Sequence, residues 1–135
     1  MTTRQYTPAE LSEVLRLHEL YMSGHPDGRQ IYLTGADLHG ADLQGADLRN
    51  APLWGADLTE ANLRYANLRN ADLQGANLTH ADLRYANLYS ADLTEANLTN
   101  ANLFFADLRG ADLTGADLTD ADLTGTTLET FNGKD

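Results

Sequence analysis

Cysteine is absent from this chain of 135 residues, and long apolar runs are missing as well. Without cysteine there is no disulfide framework, no thiolate metal site and no cysteine nucleophile. No apolar run approaches the roughly 20 residues of a membrane-spanning helix. The first residues, MTTRQYTPAE, also lack the charged and apolar segments of a secretion signal. These absences predict a soluble protein of the cytoplasm.

Basic residues are scarce too, since nine Lys and Arg stand against twenty Asp and Glu, for a net charge of −11. Most of that charge lies in residues 31–130, which contain twelve Asp and three Glu but only five Arg. Direct binding to nucleic acid requires a basic surface that neutralises phosphates, so we expect none. A protein partner with a basic surface is compatible with this charge.

What the chain has in abundance is a repeat of five residues. A leucine stands at every fifth position from Leu33 to Leu128, and eighteen of these twenty leucines follow an alanine by two residues. A period of five fits neither a helical turn nor a flat strand, so each unit must advance the chain and then turn it. We therefore expect one domain, a solenoid that buries its core coil by coil.

The units resemble those of the pentapeptide-repeat family, whose pattern is A(D/N)LXX. The resemblance covers Ile31 to Thr130 and rests on runs such as ADLHGADLQGADLRN, ANLRYANLRNADLQG and ADLTGADLTDADLTG. It implies an all-β solenoid, a right-handed quadrilateral parallel β-helix with one pentapeptide on each face and four in each coil. Twenty units would then give about five coils.

The residues before the repeat predict a capping α-helix of roughly 8–23. Thr7, Pro8 and Glu10 suit the N-cap, the first helical position and the third, in capping-box spacing. Leu11 and His18 fall on its apolar face, and Gly24 can end it in a left-handed conformation. Such a helix would cover the exposed edge of the first coil, and partner binding is its alternative role. The predicted units are a cap and connector (1–30), a β-helix (31–130) and a tail (131–135).

The interior of the predicted coil leaves no site for a ligand. If leucine is the central residue of each face, it and the alanine before it point inward and fill the enclosed space, so we expect no cofactor. The second residue after leucine is often Gly or Asn, which tolerate the positive φ of a type II turn. Tyr65, Tyr85 and Phe105 occupy this position, and they predict a different turn type there.

Two adjoining faces gather residues that are enriched at protein interfaces. With four units in each coil, Tyr65, Tyr85 and Phe105 stack in one column, and all five arginines of the repeat lie on these faces. Stabilisation of the sheet by stacked side chains is the alternative interpretation. We name this candidate interaction surface the Arg/aromatic surface; its residues are Arg64, Tyr65, Arg69, Arg84, Tyr85, Tyr89, Phe104, Phe105 and Arg109.

A second irregular cluster comprises Tyr32, Pro52 and Trp54. These residues would lie on the first face beside the capping helix, and we expect them to pack under the N-terminal segment. Pro52 has no N–H to donate, so the ladder should have a local defect there.

No pattern points to catalysis or to a metal. His39 and His80 would lie two coils apart, roughly 10 Å, which is too far to share a metal ion. No glycine-rich phosphate loop appears, and solvated carboxylates repeated along the coil do not form a tuned acid–base pair. We therefore predict that the protein is not an enzyme.

The predicted function is a scaffold that binds an unidentified protein through the Arg/aromatic surface, or a second copy of itself through an end of the solenoid. The resemblance implies an alternative, a mimic of duplex DNA that acts on DNA gyrase by inhibition or quinolone protection. The acidity favours mimicry. The length opposes it, because five coils at about 4.8 Å match only about seven base pairs unless the chain dimerises.

Overall fold

The computed structural model describes residues 3–128. Within that range the chain has one helix, α1 (Pro8–Met22), and the repeat forms a ladder of parallel β-bridges. Within the repeat, each bridge joins residues twenty positions apart, from Asp37 with Asp57 to Asp107 with Thr127. A coil therefore contains four pentapeptides, one on each face. The predicted tail 131–135 and the last two residues of the predicted β-helix lie outside the described residues.

Each leucine lies at the centre of a hydrogen-bonded face. The N–H of Leu63 donates to the carbonyl of Asp82 in the next coil (2.7 Å), and the N–H of Asp82 donates back to the carbonyl of Ala61 (2.9 Å). At the corner, the N–H of Ala66 donates to the carbonyl of Leu63 (3.0 Å), which closes a β-turn. The five-residue period thus follows from a short parallel bridge and one tight turn.

All corners from residue 35 to residue 125 have the same backbone conformation. The second residue after each leucine has a φ between 55° and 71°, whether or not it is glycine. The prediction of a different turn at Tyr65, Tyr85 and Phe105 is wrong, because their φ values are 58°, 60° and 55°. A left-handed conformation costs about 1–2 kcal/mol for a residue with a side chain. The bridges on either side impose it, since another turn would break the pairing between coils.

The core is a column of leucine and alanine side chains. From Leu33 to Leu108, every leucine of the repeat is at most 2% exposed. Burying one such side chain contributes about 1.5–3 kcal/mol, so this column is the main favourable term in folding. Burial decreases in the last described coil, where Leu113 and Leu123 are partly exposed and Leu128 is 52% exposed.

The helix α1 begins with a capping box. Thr7 Oγ1 accepts the N–H of Glu10, and the Glu10 carboxylate accepts the N–H of Thr7. These bonds satisfy two N–H groups that the first helical turn leaves unpaired. At the other end Gly24 has a φ of 80°, a left-handed conformation that suits glycine.

A buried histidine joins α1 to the first coil. His18 is 0% exposed, and its Nδ1 accepts the N–H of Ile31 at 3.1 Å. The proton of the ring therefore lies on Nε2, which donates to the carbonyl of Arg49 at 2.8 Å. Together with the buried Leu11, this histidine attaches the helix to the leucine core.

The residues before α1 pair with the first coil, an arrangement that the sequence analysis did not anticipate. Gln5 forms a parallel bridge with Asp37, and the N–H of Asp37 donates to the carbonyl of Arg4 at 2.9 Å. The Gln5 side chain also donates to the Asp37 carboxylate at 2.9 Å. This segment covers part of the edge that the first coil would otherwise expose.

The cluster around Pro52 is only partly as predicted. Pro52 still bridges Asp72 and accepts the N–H of Leu33, so the defect is limited to the N–H that proline lacks. The prediction that the aromatic residues pack under the N-terminal segment is wrong, because Tyr32 is 68% exposed and Trp54 is 52% exposed. The helix α1 lies near Ile31 and Tyr32 in the first coil and extends toward Arg49, which leaves Trp54 of the next coil uncovered.

Candidate protein-interaction surface

The Asp or Asn before each leucine organises the residue that follows the leucine. Its Oδ1 accepts the backbone N–H two positions later, as in Asp82 with Arg84 and Asn62 with Arg64, both at 3.2 Å. This local hydrogen bond is the physical reason for the D/N position of the repeat. It also places the outward side chain of each unit beside a carboxylate or an amide.

Four of the five aromatic residues of the Arg/aromatic surface form one continuous cluster of rings. The ring centroids of Tyr65 and Tyr85 are 5.0 Å apart with planes 5° apart, and those of Tyr85 and Phe105 are 5.9 Å apart. Phe104 packs edge-on against Phe105, with centroids 4.6 Å apart. Tyr65, Tyr85 and Phe105 are 54%, 43% and 54% exposed. The stack is therefore a solvent-facing ridge along one corner of the solenoid.

The stack ends where the column contains glycine. A Cβ atom at Gly125 would lie 2.8 Å from two ring carbons of Phe105, so the glycine leaves the space that this ring occupies. Gly45 occupies the same corner below Tyr65. The ridge is thus three coils long, with a glycine corner on either side.

Three arginines are paired with an aspartate two residues earlier. In each pair, Nη2 lies 2.6–2.7 Å from Oδ2 and Nε lies 2.8–2.9 Å from Oδ1, which is bidentate geometry. The hydrogen bonds from Arg84 lower the pKa of Asp82, although burial opposes the shift. The three pairs are Asp47 with Arg49, Asp82 with Arg84, and Asp107 with Arg109.

The other two arginines, Arg64 and Arg69, each stand two residues after an asparagine. Neither has an ion pair within residues 3–128. The guanidinium of Arg64 lies 5.7 Å from the ring centroid of Tyr65, and that of Arg69 lies 4.8 Å from the ring centroid of Tyr89. The Nε atom of Arg64 is buried and has no hydrogen-bond partner in the described chain. These contacts place both arginines against aromatic rings.

We predict that acid weakens the fold only below about pH 5. The pKa of Asp82 is lowered by its hydrogen bonds with Arg84, and that of Asp112 by its hydrogen bonds with Thr114. A lowered folded-state pKa gives stability that is complete above the unfolded value of about 3.9 and is lost as the pH falls through the folded value. Urea unfolding followed by circular dichroism should therefore give a constant free energy from neutral pH to about pH 5, then a decrease.

A free energy of unfolding that rises in acid would contradict this prediction. The chain has a net charge of −11, and protonation relieves repulsion among its carboxylates. A free energy of unfolding that rises below about pH 4 would show that this repulsion outweighs the lowered pKa values.

The remaining surface features of the described residues do not form a metal site or a membrane span. No group of three or more His, Cys, Asp or Glu within residues 3–128 could hold a metal ion. In the same range no helix is both long and apolar enough to cross a bilayer.

A cleft of about 480 Å³ lies between α1 and the first coil, with Leu11 and Leu15 on the helix side and Leu38 on the coil side.

This protein belongs to the pentapeptide-repeat family, because the family model of pentapeptide repeats (eight copies) matches residues 29–64, 61–100 and 96–132. Proteins of this family fold as right-handed quadrilateral β-helices and are generally structural scaffolds rather than enzymes. The predicted family and the predicted right-handed quadrilateral β-helix are thereby confirmed. A comparison with curated protein sequences gives no match.

Two solved structures illustrate the similarity. The chain is 43% identical to Rfr23, a pentapeptide repeat protein of the cyanobacterium Cyanothece 51142, with a TM-score of 0.65 over 66% of this chain and 60% of Rfr23. It is 40% identical to a pentapeptide repeat protein of the Arabidopsis thaliana thylakoid lumen, with a TM-score of 0.70 over 72% of this chain and 68% of the other. The chain thus spans less than two thirds of the length of Rfr23.

Proposed function

We propose that this protein is a non-enzymatic scaffold whose Arg/aromatic surface binds another protein. The observation that carries this proposal is the ridge of three stacked rings at Tyr65, Tyr85 and Phe105, each about half exposed. Large aromatic residues and arginine are enriched at the centres of protein interfaces, where a few of them supply most of the binding energy.

The turn at these corners does not depend on aromatic rings. Each corner aromatic adopts positive φ at a cost of about 1–2 kcal/mol. A stacked aromatic pair contributes about 0.5–1.5 kcal/mol beyond the area that it buries, which offsets that cost. The same corner accepts glycine at Gly45 and Gly125 with no such cost. Stability therefore does not require rings at these three corners.

A second copy of the chain is the other partner that we propose, and it would bind at an end of the solenoid. In the last described coil, Leu113, Leu118 and Leu123 are partly exposed and Leu128 is 52% exposed. Exposed apolar surface next to a sheet edge favours association between chains.

The alternative, mimicry of duplex DNA, is less well supported by the surface. Its basis is the acidity of the chain, as in the file of Asp72, Asp92 and Asp112, which bridge one another in successive coils. Mimicry needs a continuous array of negative charges, and the arginines interrupt that array on two of the four faces.

The test of the scaffold proposal is the triple variant Tyr65→Ala, Tyr85→Ala, Phe105→Ala. We expect it to fold, since the leucine core is untouched, and to lose at least tenfold in affinity for the partners that the wild type captures. Interface aromatics of this kind contribute about 2 kcal/mol or more each. Pull-down from the source organism with quantitative mass spectrometry measures partner loss, and light scattering measures the molar mass.

A matched control for this variant is Tyr32→Ala, Trp54→Ala, which removes two exposed aromatic residues from a different face. The control should keep the partners and the mass of the wild type. If the triple variant also keeps both, the Arg/aromatic surface is not an interface and the proposal fails.

A further inference from the structure

The residue two positions before an arginine decides whether that arginine is paired within the chain. In the three Asp-Leu-Arg units the carboxylate takes both Nε and Nη2 of the guanidinium, as Asp82 does for Arg84. The two Asn-Leu-Arg units, with Arg64 and Arg69, have no such pair. The difference between the two kinds of unit is a single side-chain oxygen.

The asparagine of the Arg64 unit is fully engaged elsewhere. Asn62 Oδ1 accepts the backbone N–H of Arg64 at 3.2 Å, and Asn62 Nδ2 donates to Asp42 and Gln44 in the preceding coil, at 3.3 and 3.2 Å. The amide has a single oxygen, which already accepts a backbone N–H, so it cannot form the two parallel bonds that a carboxylate forms with a guanidinium. Arg64 Nε is buried and has no hydrogen-bond partner in the described chain, so an external acceptor could reach this guanidinium only at its other nitrogens.

The two unpaired arginines belong to adjacent units of one coil, and the first corner residue of the aromatic ridge lies between them. Arg64 precedes Tyr65 directly, and Arg69 belongs to the next unit. Arg69 is exposed, Arg64 is half-buried, and Tyr65 is 54% exposed. Arg64 and Arg69 thus lie at successive corners of one coil, with Tyr65 beside Arg64 and Tyr89 under Arg69, on a chain that is otherwise strongly acidic.

On the basis of the scaffold function proposed above, we propose that the partner presents an acidic peptide segment whose carboxylates pair with Arg64 and Arg69 on either side of Tyr65. The partner's carboxylates would supply the negative charges that Asp47, Asp82 and Asp107 supply at the other three arginines, and would bind Arg64 through nitrogens other than the buried Nε. Arginine recognises a carboxylate through two parallel hydrogen bonds, and such pairs confer specificity on an interface. The aromatic ridge would pack against apolar residues of the same segment.

An acidic protein segment fits this surface better than a nucleic acid does. Stacked rings and arginines also occur in proteins that bind single-stranded nucleic acid, where a basic groove follows the backbone. Here three of the five arginines of the repeat are already neutralised by aspartates, and the net charge is −11. Two free guanidiniums can pair with two carboxylates, but they do not form a phosphate-binding track.

The chain offers a test that leaves every arginine and ring in place. In the variant Asn62→Asp, Asn67→Asp, both units become Asp-Leu-Arg, and we expect Arg64 and Arg69 to form the pairs seen at Arg84. The arginine Nε–H resonances in an NMR spectrum report whether they do. The matched control is Asn77→Asp, Asn97→Asp, which adds the same two carboxylates to a face where threonine follows the leucine.

The probe is an array of short random synthetic peptides incubated with labelled protein. We expect the wild type to retain peptides enriched in Asp and Glu, with binding that weakens as salt is raised. The Asn62→Asp, Asn67→Asp variant should lose at least tenfold in affinity for these peptides, and so should Arg64→Gln, Arg69→Gln. The Asn77→Asp, Asn97→Asp control should bind like the wild type.

Three outcomes overturn the inference. The first is retention by the wild type of peptides that are not enriched in Asp and Glu, and the second is an equal loss of affinity in the test and control variants. The third is tighter binding of a short oligothymidine than of any acidic peptide. Failure of the scaffold function looks different. If the triple alanine variant loses its protein partners while Asn62→Asp, Asn67→Asp keeps them, the surface is an interface but its partner is not acidic. If both variants keep all partners, the scaffold proposal fails as well.

Discussion

The substitution Leu83→Asp should abolish folding of the β-helix. Leu83 is 0% exposed in a middle coil, where its neighbours are the leucines and alanines of the core. The change removes about 1.5–3 kcal/mol of burial and places a carboxylate in a column with no cation to pair it. An unpaired buried charge costs several kcal/mol, and a domain of this size has about 5–15 kcal/mol of stability in total. Circular dichroism and size-exclusion chromatography would show an unfolded or aggregated chain.

Two controls separate the buried charge from other causes. Leu83→Met keeps the volume and apolar character, and such exchanges usually cost less than about 1.5 kcal/mol. Asn87→Asp adds a carboxylate to an outward position next to Leu88 and should leave the fold intact. A Leu83→Asp variant with the circular dichroism spectrum and melting temperature of the wild type would contradict the closed leucine core.

The second large effect is expected for His18→Ala, which should release α1 from the first coil. The substitution removes the donor to the carbonyl of Arg49 and the acceptor for the N–H of Ile31. Each buried group left without a partner costs about 1–3 kcal/mol, and the lost ring leaves a cavity. Within the repeat every bridge joins residues twenty positions apart, and none joins a middle coil to α1, so the middle coils should remain folded.

Hydrogen exchange measured by mass spectrometry can locate this change. The amides of α1 and of the residues around Ile31 should exchange faster in His18→Ala, and those around Leu83 should not. His39→Ala is the control, because His39 is exposed on the coil. Unchanged protection in α1 would mean that Leu11 and the capping box hold the helix without the histidine.

Local rules made much of this architecture predictable. The start of α1 follows from Thr7, Pro8 and Glu10, because a capping box involves residues three positions apart. The core follows from the leucine period, since only one side of each pentapeptide is apolar. The stacking of Tyr65 on Tyr85 required one further element, the twenty-residue coil, which came from the family resemblance and not from the spacing alone.

Other features depend on contacts between distant parts of the chain. The positive φ of Tyr65 runs against the preference of its side chain, and the bridges to neighbouring coils impose it. The pairing of Gln5 with Asp37 joins residues more than thirty positions apart, so no local pattern predicts it. His18 lies on the apolar face predicted for α1, but its hydrogen-bond partners, Ile31 and Arg49, are thirteen and thirty-one positions away. The exposure of Trp54 follows from the position of α1, which no local pattern gives.

The pairing of the arginines is predictable from local sequence, although it is less obvious than the leucine period. The motifs Asp-Leu-Arg and Asn-Leu-Arg are visible in the sequence. The geometry of a single unit pairs the arginine of Asp-Leu-Arg with the aspartate and leaves the arginine of Asn-Leu-Arg without an ion pair. The positions of the arginines alone place them in one group, and the residue two positions earlier divides them into two.

The repeat, the apolar column and the cap of the helix follow from local sequence, because each depends on residues within about one turn or one pentapeptide of each other. The conformation at the aromatic corners, the contacts of the N-terminal segment and the exposure of individual rings follow from contacts between distant residues. Hydrogen bonds and packing between coils outweigh local preferences of about 1–2 kcal/mol. The Arg/aromatic surface is therefore a product of both.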